Sequence, residues 1–199
     1  MNRLTIHHQG FALPTMMVML TLTSLATLLA MRNLWVNEQL LNADADQLRT
    51  LHKAQAVLPL ALADITGASG QADAFFPSTL AEYNTLRQRL APELCRAGIC
   101  VPNALGTSTN KPSYWKTQIA TARALTAADT PYGDNTAWYW VEVLPQTSTN
   151  DTPTNFTYRI TVLATGVMPG STSVLQAIWQ RTTPTATQGQ WRSWHTLHD

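Results

Sequence analysis

The sequence has little charge, and its few charges nearly balance. Charged residues make up 13% of the 199 residues, and 13 Lys and Arg stand against 12 Asp and Glu, a formal net charge of +1. No basic face predicts nucleic-acid binding, and no acidic run predicts a solvating tail. The length allows one ordinary domain plus an anchor, but hardly two full domains.

The sequence also lacks the motifs of common catalytic sites. It contains no Gly-x-Ser-x-Gly, no His-Glu-x-x-His and no phosphate-binding loop. Asp129, Asp134 and Asn135 carry oxygen ligands that suit calcium, but their spacing matches no standard calcium loop. We therefore predict no enzymatic activity, no metal site and no cofactor.

Cysteine is scarce, and the chain has only two, Cys95 and Cys100, within Cys-Arg-Ala-Gly-Ile-Cys. In an exported chain, two cysteines this close most simply form a disulfide, whose small loop would contribute roughly 2 kcal/mol. A metal half-site and a pair of free thiols are the alternatives. A metal site would need about two further ligands, and no Cys or His lies close by in sequence.

The amino terminus combines a short polar segment with a long apolar one. Residues 1–10 are polar and slightly basic, and residues 11–31 carry no charge until Arg32 ends the run. As a helix, this run would cover roughly 30 Å, the hydrocarbon thickness of a bilayer. Its Thr and Ser hydroxyls can bond to carbonyls one turn earlier, which lowers their cost in lipid.

Three interpretations of this amino terminus compete. A cleaved secretory signal would need a small-residue cut site, which the region from Ala26 to Ala30 supplies only poorly. A plain signal anchor needs only the apolar run. A prepilin leader is cut before the apolar run, and Gly10-Phe11 lies at that border. We favour the third interpretation because the helical pattern continues beyond the run.

The pattern beyond Arg32 predicts an amphipathic helix that reaches residue 65. Pro14 falls in the first turn of this helix, where a missing N–H costs nothing, whereas Pro59 predicts a kink or the end of the regular part. Gly67 is a plausible stop. Apolar residues recur at steps of three, four or seven and predict the face that docks a globular head: Leu34, Leu41, Ala45, Leu48, Leu51, Leu58, Leu62 and Ile65.

The remaining chain predicts a short helix followed by strands. Leu80 to Leu90 has helical spacing, and Pro92 marks its end. Residues 137–144, 155–164 and 173–182 read as sequential strands separated by Pro- and Gly-containing turns, with a last short strand around Trp191 and Trp194. The predicted fold class is α+β: a long amino-terminal helix packed on a small antiparallel β-sheet head.

Several of these segments resemble the PilX-like minor pilins of type IV pili. The resemblance lies in residues 10–13, the apolar run, residues 30–32 and 42–44, and later in Tyr158-Arg159-Ile160-Thr161 and Val174-Leu175-Gln176. Cys95 and Cys100 also look like the paired cysteines of that family. The resemblance implies cleavage after Gly10 by a prepilin peptidase and N-methylation of Phe11. It further implies that the head is periplasmic.

One position departs from the common pilin pattern. Most pilins carry Glu five residues after the cut, whereas this chain has Thr15. In the family, that carboxylate neutralises the terminal amine of a neighbouring subunit inside the apolar fibre core, where an unpaired charge is costly. Its lack is typical of the K type, and it favours a minor subunit at a tip or priming position over a major shaft subunit.

These observations together predict four segments and one function. The segments are a leader at 1–10, a transmembrane and fibre-core helix at 11–31, an amphipathic stem at 32–66 and a periplasmic head at 67–199. The function is that of a minor pilin that primes or caps the fibre tip and so supports motility or adhesion. The chain would start in the inner membrane, with its amino terminus cytoplasmic, and then join the surface fibre. The expected partners are other minor pilins, the major pilin, the prepilin peptidase and membrane lipid, with no direct binding of nucleic acid.

Two alternatives remain open at this point. The first is a K-type pseudopilin of a type II secretion system, although those usually resemble longer chains. The second is a membrane-anchored periplasmic enzyme or binding protein, which would need a pocket with convergent polar groups.

Overall fold

A computed structural model describes residues 12–68, 76–102, 109–126, 129, 136–147, 153–183 and 186–198 of the chain. The chain divides into two units, Met1–Asp44 and Ala45–Asp199. The predicted leader, residues 1–10, and Phe11 after it lie outside the described residues.

Helix α1, Ala12–Thr66, is the longest element of the chain. Among the described residues, one helix is long and apolar enough to cross a membrane, and it is α1. Its hydroxyls bond back to the preceding turn as predicted: Thr21 donates to the Val18 carbonyl at 2.9 Å, and Ser24 donates to the Leu20 carbonyl at 2.7 Å. These bonds satisfy the hydroxyl groups within the helix, so an otherwise apolar segment has few polar groups that need water.

The end of α1 confirms the predicted stop at Gly67 and excludes one of the two outcomes predicted for Pro59. Gly67 adopts φ +76°, its N–H bonds the Asp64 carbonyl at 3.2 Å, and the Ala68 N–H bonds the Ala63 carbonyl at 2.8 Å. This paired arrangement is the Schellman stop that a glycine permits. Pro59, however, does not end the helix, which continues to Thr66. Pro59 lies on the exposed side, where water can satisfy the carbonyl that loses its donor.

The face of α1 that packs on the sheet overlaps the predicted face only in its last two turns. Of the predicted set, Ile65 is buried and Leu58 and Leu62 pack against the core while partly buried. Leu48 is 58% exposed. The buried face lies beside that set, and half of its members are polar: Asp46, Thr50, Lys53, Ala54, Val57, Ala61, Asp64 and Ile65. The small side chains of Ala54 and Ala61 let the helix approach the sheet closely, and the polar members form hydrogen bonds with the sheet. A search for periodic apolar residues does not detect a face of this composition.

Helix α2, Leu80–Leu90, has the predicted bounds. The Thr79 side chain accepts a bond from the Glu82 N–H at 3.2 Å. The Glu82 carboxylate in turn accepts bonds from the N–H and the hydroxyl of Ser78, at 2.7 and 2.8 Å. This exchange caps the first turn, so the helix begins where the sequence predicts it. Its inner face, at Tyr83, Leu86 and Leu90, is buried, whereas Leu80 at its start is 42% exposed.

Four long strands form an antiparallel meander, as predicted. They are β4 (Ala137–Thr147), β5 (Pro153–Thr165), β6 (Thr172–Arg181) and β7 (Gly189–Leu197), and each pairs with the next. Three two-residue strands, which sequence periodicity cannot detect, complete the sheet: β1 (Cys95–Arg96), β2 (Ile99–Cys100) and β3 (Arg123–Ala124). Strand β2 runs parallel to β4, and β3 runs antiparallel to it.

Strands β4, β5 and β6 are covered on both faces. On one face, α2 and the buried face of residues 45–66 pack on alternate residues of β4, β5 and β6, including Phe156, Tyr158 and Ile160. On the other face lie Trp140, Leu163 and the ring of Trp115 from the short helix α3, Pro112–Thr117. The fold is therefore α+β, with a long helix and a sheet head.

Candidate functional site: the assembly helix and its junction with the sheet

The predicted assembly position, Thr15, lies near the start of α1. The helix around it offers an apolar surface, since large apolar side chains of residues 13–41 are each 42–71% exposed. Surface of this kind is covered either by lipid or by other helices. Its members are Leu13, Met16, Met17, Val18, Met19, Leu20, Leu22, Leu25, Leu28, Leu29, Met31, Leu34, Trp35, Val36, Leu40 and Leu41.

In the second unit, Asp46 fixes the turn between β5 and β6. Its carboxylate accepts bonds from the backbone N–H of Met168 at 2.9 Å and from that of Val167 at 3.2 Å. These two bonds, the Met168 bond first, lower the pKa of the Asp46 carboxyl below its ordinary value. Gly166 belongs to the same contact, because a Cβ on it would lie 2.4 Å from an Asp46 carboxylate oxygen. The turn and the helix therefore meet closely at Gly166, where a larger residue would have to displace the Asp46 side chain.

Lys53 extends this polar contact by one to two turns of the helix. Its ammonium group donates to the Thr136 hydroxyl at 2.7 Å and to the Thr165 carbonyl at 3.3 Å. Both acceptors flank the paired ends of β4 and β5, so one buried cation holds two strand ends against the helix.

Asp64 forms the third polar contact, near the end of the helix. Its carboxylate accepts a hydrogen bond from the Tyr139 hydroxyl and pairs with the Arg123 guanidinium at 3.0 Å. Burial, followed by the hydrogen bond and the charge of Asp64, raises the pKa of Tyr139, so the phenol stays protonated. We call Asp64, Arg123 and Tyr139 the buried triad. It joins α1, β3 and β4.

Arg181, the last residue of β6, reaches the carboxyl end of the same helix. Its guanidinium donates to the Ile65 carbonyl at 2.8 Å and to the Pro77 carbonyl at 3.4 Å, and it stacks over the Tyr158 ring at 5.2 Å. A cation at this end complements the helix dipole and a carbonyl that lacks a helical partner. Residues 45–66 are thus held along their length by hydrogen bonds of charged side chains, three from the helix and one from β6.

The predicted pairing of Cys95 with Cys100 is present as a disulfide. It closes a hairpin in which Cys95 and Cys100 are direct cross-strand partners. The Gly98 carbonyl accepts from the Val141 N–H at 2.6 Å, and the Gly98 N–H donates to the Thr121 carbonyl at 2.8 Å. The disulfide hairpin is therefore held along the side of β4 on which β2 pairs in parallel.

A cleft of about 450 Å³ lies beside the buried triad, between α2, the disulfide hairpin and β3. Its walls combine apolar side chains, such as Leu86 and Ile99, with the groups of the triad. The triad groups bond to one another, and no set of three or more His, Cys, Asp or Glu in the described part of the chain could hold a metal ion.

Of the residues considered as calcium ligands, Asp134 and Asn135 lie outside the described residues, and Asp129 accepts bonds from the hydroxyl and the N–H of Thr126, at 2.7 and 3.0 Å. The adjacent aromatic residues Tyr139 and Trp140 of β4 are buried and belong to the two cores on opposite faces of the sheet. Sequence reasoning missed the four polar residues on the buried face of α1. Their positions, 46, 50, 53 and 64, have helical spacing, and this spacing is the sequence signal that could have identified them as one face.

A long apolar helix whose later residues pack on an antiparallel sheet is the arrangement that the resemblance to PilX-like pilins implies. Residues 96–181 match the family model described as Type IV pilus assembly protein PilX C-term. This match runs from the disulfide hairpin to the end of β6 and confirms the predicted resemblance to PilX-like pilins. Searches of curated proteins and of solved structures found no match.

The match supports a role in type IV pilus assembly and membership in a structural rather than an enzymatic class of proteins. Such a role implies contacts with other pilins, and the apolar helix suggests membrane anchoring. Cleavage after Gly10, methylation of Phe11 and the K-type interpretation of Thr15 stay predictions, as do the boundaries proposed at residues 10, 31 and 66.

Proposed function

We propose that this chain is a non-catalytic minor pilin that primes or caps the tip of a type IV pilus. The observation that carries the proposal is the combination of an exposed apolar helix with a PilX-type domain in one chain. In the membrane, lipid covers the helix; in the fibre, the helices of neighbouring subunits do. Transfer between the two surroundings needs no chemistry apart from removal of the polar leader at Gly10.

Thr15 supports the position at the tip. A subunit with Glu at this position can neutralise the terminal amine of a neighbour within the apolar core, and Thr15 cannot. A subunit without this carboxylate is therefore poorly suited to the repeating shaft, where each subunit must satisfy the next. At the tip, one face of the subunit has no further neighbour, so the missing carboxylate costs nothing.

The polar junction supports the same function mechanically. A minor pilin must transmit load between its helix and its head, and here Asp46, Lys53, Asp64 and Arg181 hold residues 45–66 to the sheet at four places. Directional bonds of charged groups resist sliding along the helix axis better than apolar contacts do, because they have a defined geometry.

The test is the location of the chain in purified fibres. Immunogold labelling should place it at fibre ends, and deletion of its gene should leave few surface fibres. Thr15→Glu should move label into the shaft, whereas the uncharged control Thr15→Gln should keep it at the ends. Purified fibres without this chain would contradict the proposal, and so would label spread along the shaft of unsubstituted fibres.

A further inference from the structure

Strand β7, Gly189–Leu197, ends the sheet. The strand order runs from β1 through β2, β4, β5 and β6 to β7, and β7 pairs only with β6 among the described strands. On its outer side, β7 therefore presents backbone N–H and C=O groups beside which the described part of the chain places no strand. Such an edge is a template for another strand.

Six consecutive residues of β7, from Gln190 to His195, are exposed. Because side chains alternate along a strand, this run leaves both faces of β7 uncovered. The neighbouring β6 is different, since seven of its ten residues are buried. The cover provided by α1 and α3 thus stops at β6, and β7 extends beyond it.

A bulge places two tryptophans of β7 on the same face. Trp191 pairs with Trp179, and Trp194 pairs with Ala177, with a register shift between Ile178 and Trp179. Cross-strand partners share a face, and Trp179 belongs to the core on the α1 side of the sheet. Without the extra residue, Trp191 and Trp194 would point to opposite faces. Here both lie on the α1 side, 43% and 59% exposed.

The edge has few of the features that normally block strand pairing. It contains no Lys and no Pro. Its one cation, Arg192, donates to the Gln180 side chain of β6 at 2.7 Å, so its guanidinium is directed back toward the sheet. The bulge, which elsewhere can protect an edge, here aligns two large apolar side chains that are typical of binding hot spots.

We propose that β7 is a docking edge for an extended strand from the head of a neighbouring subunit. The inference rests on the proposed function, because it takes the neighbour from the same fibre. The complementary strand would carry apolar side chains on the side that meets Trp191 and Trp194, and polar ones opposite Ser193 and His195. Its backbone would satisfy the open edge, and the tryptophans would supply the apolar contact area.

A second copy of this chain fits the edge less well. Pairing β7 with itself about a two-fold axis normal to the sheet would reverse one copy relative to the other. Residues 45–66, which pack on the sheet, would then run in opposite directions in the two copies. Subunits of one fibre share one polarity, so a different subunit is the better occupant.

The experiment uses the full chain in piliated cells. A photo-crosslinker, Trp194→p-benzoylphenylalanine, should give a product whose linked peptide maps to an extended segment of another pilin head. The same residue in place of Lys116, which is exposed on α3, should give no such product. With the crosslinker at Ser193, Trp191→Ala with Trp194→Ala should lower the yield by about tenfold or more, whereas His195→Ala should change it less than about twofold.

Other outcomes would overturn the inference. One is the absence of any crosslinked product from position 194, and another is a product that maps only to a helix or to a second copy of this chain. A third is that an oligosaccharide quenches the tryptophan fluorescence while no subunit is crosslinked, which would make the edge a sugar-binding surface instead. The crosslinker at Trp194 tests the edge even if the double alanine variant fails to fold. Immunogold labelling of the same fibres separates the two hypotheses: label at the tip without a crosslink refutes only the docking edge, and fibres without the chain refute the proposed function.

Discussion

The buried triad gives the sharpest stability prediction. Asp64→Asn keeps the shape of the side chain but removes its charge and leaves the Arg123 guanidinium without its carboxylate. The Asp64 side chain is 5% exposed and that of Arg123 is 20% exposed, so water replaces little of the lost interaction. Breaking one side of such a buried pair costs about 3–5 kcal/mol, and the remaining amide bond to Tyr139 favours the lower end.

The expected change is measurable by thermal unfolding. For a domain of this size, about 3 kcal/mol lowers the Tm by roughly 6–12 °C. The assay is tryptophan fluorescence of the full chain in detergent micelles during heating. Asp44→Asn, an exposed carboxylate on the same helix, is the matched control and should change the free energy of unfolding by less than about 0.5 kcal/mol.

A second variant tests the physical reason rather than the position alone. The combination of Asp64→Leu, Arg123→Met and Tyr139→Phe removes all three polar groups, so no buried charge or hydroxyl is left unpaired. It should recover most of the stability that Asp64→Asn loses. A loss below about 1 kcal/mol in Asp64→Asn would refute the reasoning, as would a triple variant less stable than the single one.

Three further predictions concern other contacts. Gly98→Ala should cost about 2–4 kcal/mol in urea unfolding, because Gly98 has φ +80° and its Cβ would lie 2.7 Å from the Arg123 Cβ. Cys95→Ser with Cys100→Ser should cost about 2 kcal/mol, the loop entropy of a short disulfide. Asp46 has a lowered pKa in the folded state, so its stabilisation is present above the ordinary value of 3.8 and is lost as the pH falls below it. Acid unfolding of Asp46→Asn should therefore be less steep below about pH 4 than that of the unsubstituted chain.

Each of these predictions has a control and a contradicting result. Gly170→Ala, where a Cβ would meet open space, shares the positive φ but lacks the clash, so it should cost less than Gly98→Ala; equal costs would contradict the close-approach argument. An unchanged urea midpoint after loss of both cysteines would contradict a stabilising disulfide. An identical acid profile in Asp46→Asn would show that the bonds to Val167 and Met168 do not stabilise the ionised carboxylate.

Local signals carried most of what the sequence predicted. Helix α2 has its predicted bounds because the residues that cap it, Ser78, Thr79 and Glu82, lie close together in the sequence. The meander follows from alternating apolar residues and from turns rich in Pro and Gly. The disulfide follows from two cysteines a few residues apart.

The errors arose where tertiary contacts decide the outcome. Apolar periodicity selected Leu48 and its heptad neighbours as the docking face, but the sheet binds the adjacent face through Asp46, Lys53 and Asp64. A buried carboxylate has the sequence pattern of a surface residue until its partners are known, and these lie far away in sequence: Arg123 for Asp64 and Met168 for Asp46. The two-residue strands β1, β2 and β3 are too short to show an alternation of apolar and polar residues. The edge at β7 likewise depends on which strand has a neighbour.

The central claim is that a polar leader is removed at Gly10 and that the freed apolar helix enters a fibre. The most direct measurement is the intact mass and amino-terminal peptide of the chain recovered from membranes and from sheared fibres. We predict a chain that begins at a methylated Phe11 in both fractions. A chain that begins near Met31, or one that retains residues 1–10 in the fibre, would contradict the account.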